Sequence, residues 1–135
     1  MKGGYILLME LSSDGCISIG KQVPINFQKG WYVYIGSAMN GIEQRIKRHY
    51  SSIKKMHWHI DYFLESARIK EVFYKGSNKK EECDVVRNFI GSFKDVKGFG
   101  CSDCFCTSHL FYGSKQQLLA TINKISFLKL RNSLL

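Results

Sequence analysis

Apolar residues run almost unbroken from Tyr5 to Leu11, stop at the turn cluster Ser12-Ser13-Asp14-Gly15, and resume as the alternating segment Cys16-Ile17-Ser18-Ile19 before Gly20 and Pro24. That pattern predicts a β-hairpin. After Lys29-Gly30, the segment Trp31-Tyr32-Val33-Tyr34-Ile35-Gly36 carries aromatic and β-branched types suited to a pleated surface, and it is expected to pair with the first strand. Ile42, Ile46 and Tyr50 recur at four-residue spacing among Glu43, Gln44, Lys47 and Arg48, which predicts an amphipathic helix capped by Asn40. A helix over 57–66, a strand over 69–74 and a helix over 79–93 follow, the last with Val85, Val86, Phe89 and Ile90 on its apolar side. Glycine and cysteine dominate 97–107, an ordered or metal-organised loop. His109 to Tyr112 reads as a last strand, and Ser114 as the cap of a helix running through Ile125. Strands interleaved with helices predict one α/β or α+β domain over 1–135, built on a small, mainly antiparallel sheet.

Length and composition narrow this picture. At 135 residues one compact core is expected, and no apolar run approaches the roughly 20 residues of a membrane span. A soluble, cytoplasmic protein with no membrane partner is the expectation. Twenty Lys and Arg against eleven Asp and Glu give a formal charge of +9, a field that favours polyanions such as a nucleic-acid backbone. Five cysteines, an odd number, argue against a disulfide framework and for reduced thiols or metal ligands.

The candidate chemistry starts with two phenols. Gly3-Gly4-Tyr5 and Tyr34-Ile35-Gly36 are separated by a hairpin-sized segment, so Tyr5 and Tyr34 can stand on adjacent strands. Alone, each reads as ordinary strand packing. On the next helix Arg45, Arg48 and His49 occupy neighbouring positions of one face, which is either a solvated basic stripe or a surface aimed at an anion. The neighbouring cations disfavour protonation of His49.

With these elements in order, the chain resembles the GIY-YIG nuclease superfamily: Gly3-Gly4-Tyr5 fits its first motif, Tyr34-Ile35-Gly36 its second, and Arg45 with His49 its R-x-x-x-H helix. The resemblance implies a three-stranded antiparallel sheet flanked by helices and one catalytic divalent cation, Mg²⁺ or Mn²⁺, held by a glutamate on a later helix. Glu82 is the choice for that ligand, with Glu81 as the alternative. Tyr5 or Tyr34 would then be the base or water-orienting phenol, Arg45 the phosphate clamp and His49 a proton-transfer partner.

Along nearly the whole chain the sequence is more specifically similar to a small, mainly archaeal group of GIY-YIG-like domains sometimes fused to endonuclease III. The shared segments are 34–38, 45–49, 58–62, 82–83 and 102–111. That similarity implies DNA as the partner, a link to a base-excision-repair glycosylase, and damaged, abasic or branched duplexes as substrates.

Secondary features complete the reading. His57-Trp58-His59-Ile60-Asp61-Tyr62 places His57 and Asp61 at helical i,i+4 spacing, so a metal site there is conceivable; His57 and His59 are better read as capping, packing or contacting DNA. Arg48, Lys54 and Lys55, with Lys79 and Lys80 flanking Glu82, are the candidate backbone contacts. Cys101, Cys104, Cys106 and His109 supply four soft ligands within nine residues, with Cys83 able to replace one. The reading preferred over zinc is reduced, buried cysteines with Asp103 and His109 hydrogen-bonded in an ordered loop. Two rivals to a DNA endonuclease stand beside it: a non-catalytic module that docks a repair partner on DNA, and a zinc-stabilised interaction protein.

Overall fold

The computed structural model describes residues 1–101 and 106–131. Cys104 and Asp103 lie outside the described residues. The elements are β1 (Gly3–Leu11), β2 (Gly15–Ile17), β3 (Ile25–Phe27), β4 (Gly30–Ala38), α1 (Ile42–Tyr50), α2 (His59–Phe63), β5 (Arg68–Gly76), α3 (Glu82–Val86), β6 (Lys94–Asp95), β7 (Leu110–Gly113), α4 (Lys115–Asn123) and β8 (Leu128–Lys129). The fold is α+β. Its main sheet has six strands in the order β6-β7-β4-β1-β5-β8, not the three expected, with antiparallel pairing throughout. The three long strands β4, β1 and β5 form its middle, and short strands widen it on both sides.

The first predicted hairpin is corrected in its partner. The segment after the Ser12–Gly15 turn pairs with Ile25–Phe27 as a separate two-stranded ribbon, while β1 takes β4 and β5 as its neighbours. Two nine-residue strands flank β1 on both edges and pair along nearly its full length. A three-residue strand with exposed Cys16 cannot compete for that place.

Register places Tyr5 opposite Gly36, Leu7 opposite Tyr34 and Met9 opposite Tyr32, so these six share one face of the sheet. Ile6 and Leu8, opposite Ile35 and Val33, point to the other. The first face is covered by Ile42, Ile46, Ile60 and Phe63 of α1 and α2, and the second by Val85, Val86, Phe89, Leu118 and Ile122. Each face buries its own core.

The helices are shorter than their patterns suggest. Only 59–63 of the segment after His57 and 82–86 of the segment after Lys79 are helical. Gly91, with φ 82°, adopts a left-handed conformation beyond the second of them. Helix α1 is capped at Gly41, φ 132°, with no side-chain cap hydrogen bond, so Asn40 does not act as expected. Its buried stripe runs Ile42, Ile46, His49, while Tyr50 is 46% exposed. At 3.6 residues per turn, the seventh residue on lies nearer to two whole turns than the eighth, and that geometry turns His49 inward. Ser114 caps α4 as expected, accepting from the Gln117 N–H at 3.1 Å. The chain then adds β8, so α4 is not its last element.

Candidate active site

At the Tyr5 end of the β1–β4 pair the sheet needs an unusually small residue. A Cβ at Gly36 would overlap the Tyr5 ring, so glycine lets that phenol lie across the neighbouring strand. From this position the Tyr5 hydroxyl meets His49 Nε2 at 2.7 Å in a buried hydrogen bond. Tyr34, two residues earlier on β4, lies with its ring centroid 6.4 Å from that of Tyr5.

A pocket of about 460 Å³ opens over this corner, and Tyr5, Tyr34, Ser37, Arg45, Lys80 and Glu82 contribute to its wall. Two strands and two helices therefore bring together residues up to 77 positions apart in sequence. His57, His59 and His109 also line the pocket, whereas His49 stands behind Tyr5 and reaches the cavity through its hydroxyl.

The charges around the pocket divide into committed and uncommitted groups. Arg48 donates two hydrogen bonds to the Asp61 carboxylate at 2.7 and 2.9 Å and a third to Lys55 O at 2.9 Å. Asp61 is fully buried. Burial alone would raise its carboxyl, but hydrogen bonds from Arg48 and from the Trp58 and His57 amides hold it down at about 2. That clamp joins α1 to the start of α2. Lys54 caps the C-terminal carbonyls of α1, donating to Arg48 O and His49 O at 3.1 Å. Arg48 and Lys54, candidates for DNA contact, therefore direct their charge into the fold, while Lys55 and His57 are exposed.

Arg45 is held differently. One guanidinium N–H donates to Ser37 O at 3.1 Å, and the group lies 4.3 Å from the Trp58 ring centroid, with Arg48 at 4.2 Å from the same ring. With no carboxylate partner among the described residues, Arg45 offers its positive charge to the pocket. His59 Nδ1 accepts from the Gly100 N–H at 2.9 Å, fixing the loop that forms the opposite wall. Trp58 was assigned no role from sequence, and Asp61 only a conceivable metal site with His57; its carboxylate is instead taken up by Arg48 and the His57 and Trp58 amides. Tryptophan between two imidazoles is a visible signal, but its contact with two arginines depends on how α2 packs on α1.

Burial sets the protonation states. It pushes the Tyr5 and Tyr34 hydroxyls well above the usual phenol range, although the Arg45 charge opposes this at Tyr5. Burial, then the positive charges of Lys54, Arg45 and Arg48, pull His49 down to about 3. At neutral pH the pair is therefore a neutral phenol on a neutral imidazole, and His49 Nδ1 has no hydrogen-bond partner among the described residues.

The chain's family is set by nearly its whole length. The model of a family described as domain of unknown function DUF123 matches residues 4–130. The chain belongs to that family. No curated protein and no solved structure matches it. Every candidate site residue of this DUF123 domain falls inside the matched span.

Among the described residues, two sets could hold a metal. Glu82 is the sole carboxylate on the pocket wall among the described residues, facing Arg45, Lys80 and neutral donors. Glu81 is turned away, accepting from Ser77 Oγ at 2.9 Å and pairing with Lys75 at 3.6 Å. Ser37 Oγ, buried at the same pocket, has no hydrogen-bond partner among the described residues. One carboxylate and an orphaned hydroxyl beside open volume fit a hard divalent ion that keeps most of its water.

The second set is a soft one: Cys83, Cys106 and His109 converge. Here the structure corrects two expectations. Cys83 and Cys106 are joined as a disulfide rather than free, and Cys101 is not part of the group, its thiol donating to Phe99 O at 3.3 Å. Sequence distance misled, because α3 brings Cys83 to the loop from 23 residues away.

Proposed function

We propose that this DUF123 domain is a metal-dependent endonuclease that hydrolyses DNA phosphodiester bonds by the chemistry of the GIY-YIG superfamily. The observation that carries the reading is the convergence of Tyr5, Tyr34, Arg45 and Glu82 on one pocket, with His49 hydrogen-bonded behind Tyr5. Tyr5 and Tyr34 come from β1 and β4, Arg45 and His49 from α1, and Glu82 from α3, as the motif resemblance requires. The net charge of +9 favours a polyanionic substrate.

Each residue has a task set by its surroundings. Arg45, braced by Ser37 O and Trp58, binds a non-bridging phosphate oxygen and offsets the charge that builds in the transition state. Tyr34 orients the attacking water. As that water bonds to phosphorus, its proton passes to the Tyr5 oxygen while the Tyr5 proton passes to His49 Nε2, and the P–O bond to one ester oxygen breaks as that oxygen takes a proton from a second water in the open pocket and leaves as the alcohol. A free phenolate is too costly in this buried place, so the imidazole behind Tyr5 makes the transfer feasible. Burial first, and then the nearby cations, hold His49 neutral, and the incoming phosphate offsets the cations' share. Glu82, on the pocket wall that Ser37 also lines, would hold Mg²⁺ or Mn²⁺, which supplies Lewis acidity to the phosphate when bound.

The similarity to domains fused to endonuclease III supports repair as the setting, with abasic or damaged duplexes as substrates and a glycosylase as partner. The test incubates purified protein with labelled intact and abasic-site duplexes in Mg²⁺, Mn²⁺ or EDTA. Cleavage in metal, lost in EDTA and in Arg45→Ala and Glu82→Gln, is expected. Duplex binding without cleavage in either metal would overturn the reading in favour of a docking module.

A further inference from the structure

Cys83, Cys106 and His109 do more than form a disulfide with a nearby ring. Their ligand atoms all lie within 4.8 Å of one another, brought together from α3, the loop before β7, and the residue that leads into β7. The cysteines are half-buried and His109 is buried. The imidazole is also aimed: its Nδ1 meets Ile35 O at 3.1 Å. Since a carbonyl only accepts, Nδ1 carries the proton, and the lone pair of the neutral ring lies on Nε2. The His109 carbonyl accepts in turn from the Ile35 N–H at 3.0 Å, so β4 fixes both backbone and ring. An imidazole anchored through one nitrogen to a backbone carbonyl is the usual outer support of a metal-bound histidine. A structural disulfide needs no such third group.

We propose that Cys83, Cys106 and His109 form a binding site for a soft divalent cation of the zinc class, separate from the hard-ion position at Glu82. The disulfide is the metal-free, oxidised form of the site. A dithiol reductant takes the cross-link as its own disulfide and leaves two thiols; each gives up its proton on binding the ion, while His109 binds through Nε2. Reduction lets the sulfurs part to the roughly 3.8 Å that a tetrahedral ion with Zn–S bonds of about 2.3 Å requires. Two thiolates and an imidazole select a soft ion over Mg²⁺. Cys83 directly follows Glu82 in α3, so the ion would tie that five-residue helix to β7 and hold Glu82 on the pocket wall. The binding site itself stands whether or not the pocket cleaves DNA.

The test uses the full chain, reduced with a non-chelating phosphine and dialysed against zinc or cobalt. Stoichiometric zinc, a thiolate-to-cobalt charge-transfer band, and zinc protection of Cys83 and Cys106 from alkylation in the wild type are expected. Binding should fall at least tenfold in Cys83→Ser and His109→Gln and stay unchanged in Cys16→Ser. The alkylation map needs no variant, so a misfolded mutant does not obscure the answer. A reduced chain that binds neither ion, or zinc that leaves Cys83 and Cys106 as reactive as in its absence, would overturn the proposal.

Discussion

The two faces of the sheet are built from the same strands to opposite ends. One buries Ile6, Leu8, Val33, Ile35, Phe89 and Phe111, among other side chains without a hydroxyl or a charge. The other alternates with it residue by residue, yet places Tyr5 and Tyr34 against buried His49 and carries Tyr32 and buried Asp61 as well. A buried polar group costs stability unless it is paired. This face meets that cost at Asp61 with four hydrogen bonds from three residues and, among the described residues, leaves it unmet at His49 Nδ1 and Ser37 Oγ. Groups left unpaired on the wall of a pocket, or directly behind it, are where function tolerates what packing would remove. The apolar face makes the fold rigid enough for the polar face to keep its geometry.

Truncation on the apolar side should cost the most stability. Phe89→Ala, at a fully buried ring, is expected to lose about 3–5 kcal/mol in denaturant unfolding. If the loss is under 1 kcal/mol, this face is not the stabilising one. Asp61→Asn should cost somewhat less, about 3 kcal/mol by the same measurement, because Arg48 loses its charged partner but reaches solvent.

Acid sensitivity separates the faces more finely. His49 is held at about 3 in the folded chain against about 6.5 unfolded, so below pH 6.5 the unfolded chain binds the extra proton. Stability should fall with a slope approaching 1.4 kcal/mol per pH unit and level off near pH 3. Asp61, held at about 2 against about 3.9 unfolded, contributes stability that is present above pH 4 and lost as pH falls through 2. Burial also lowers His59 and His109. The His49 share is therefore the difference in slope between wild type and His49→Gln from pH 6 to 4. Equal slopes would mean that His49 is not buried neutral. The smallest effect belongs to Tyr50→Ala, which should change stability by less than about 0.5 kcal/mol, because that ring lies outside the buried stripe.

Much of the polar face was legible in the sequence. The hairpin-sized separation of Gly3-Gly4-Tyr5 from Tyr34-Ile35-Gly36 predicts two phenols on neighbouring strands, and i,i+4 spacing puts Arg45 and His49 on one side of α1. Tyr50 was placed inside and found outside, because four-residue spacing drifts around a 3.6-residue helix. The Arg48–Asp61 clamp was not legible, since it depends on how α2 docks on α1. The edge strands β6 and β8 are two residues long. Strands that short carry no periodicity and exist because a neighbouring strand offers them hydrogen bonds. Cys83 and Cys106 are joined by the turn of the chain between them, which no local pattern records.

The central claim is that the polar face is chemical rather than merely packed. The most direct measurement is the single-turnover cleavage rate of a bound, end-labelled duplex in Mn²⁺, for wild type and Tyr5→Phe side by side with their melting curves. Cleavage by the wild type, reduced about 10²- to 10⁴-fold in Tyr5→Phe, while the variant loses about 1–3 kcal/mol with the buried bond to His49 yet stays folded at the assay temperature, is the predicted result. Equal rates for the two proteins, or none from a wild type that holds the duplex, would contradict it.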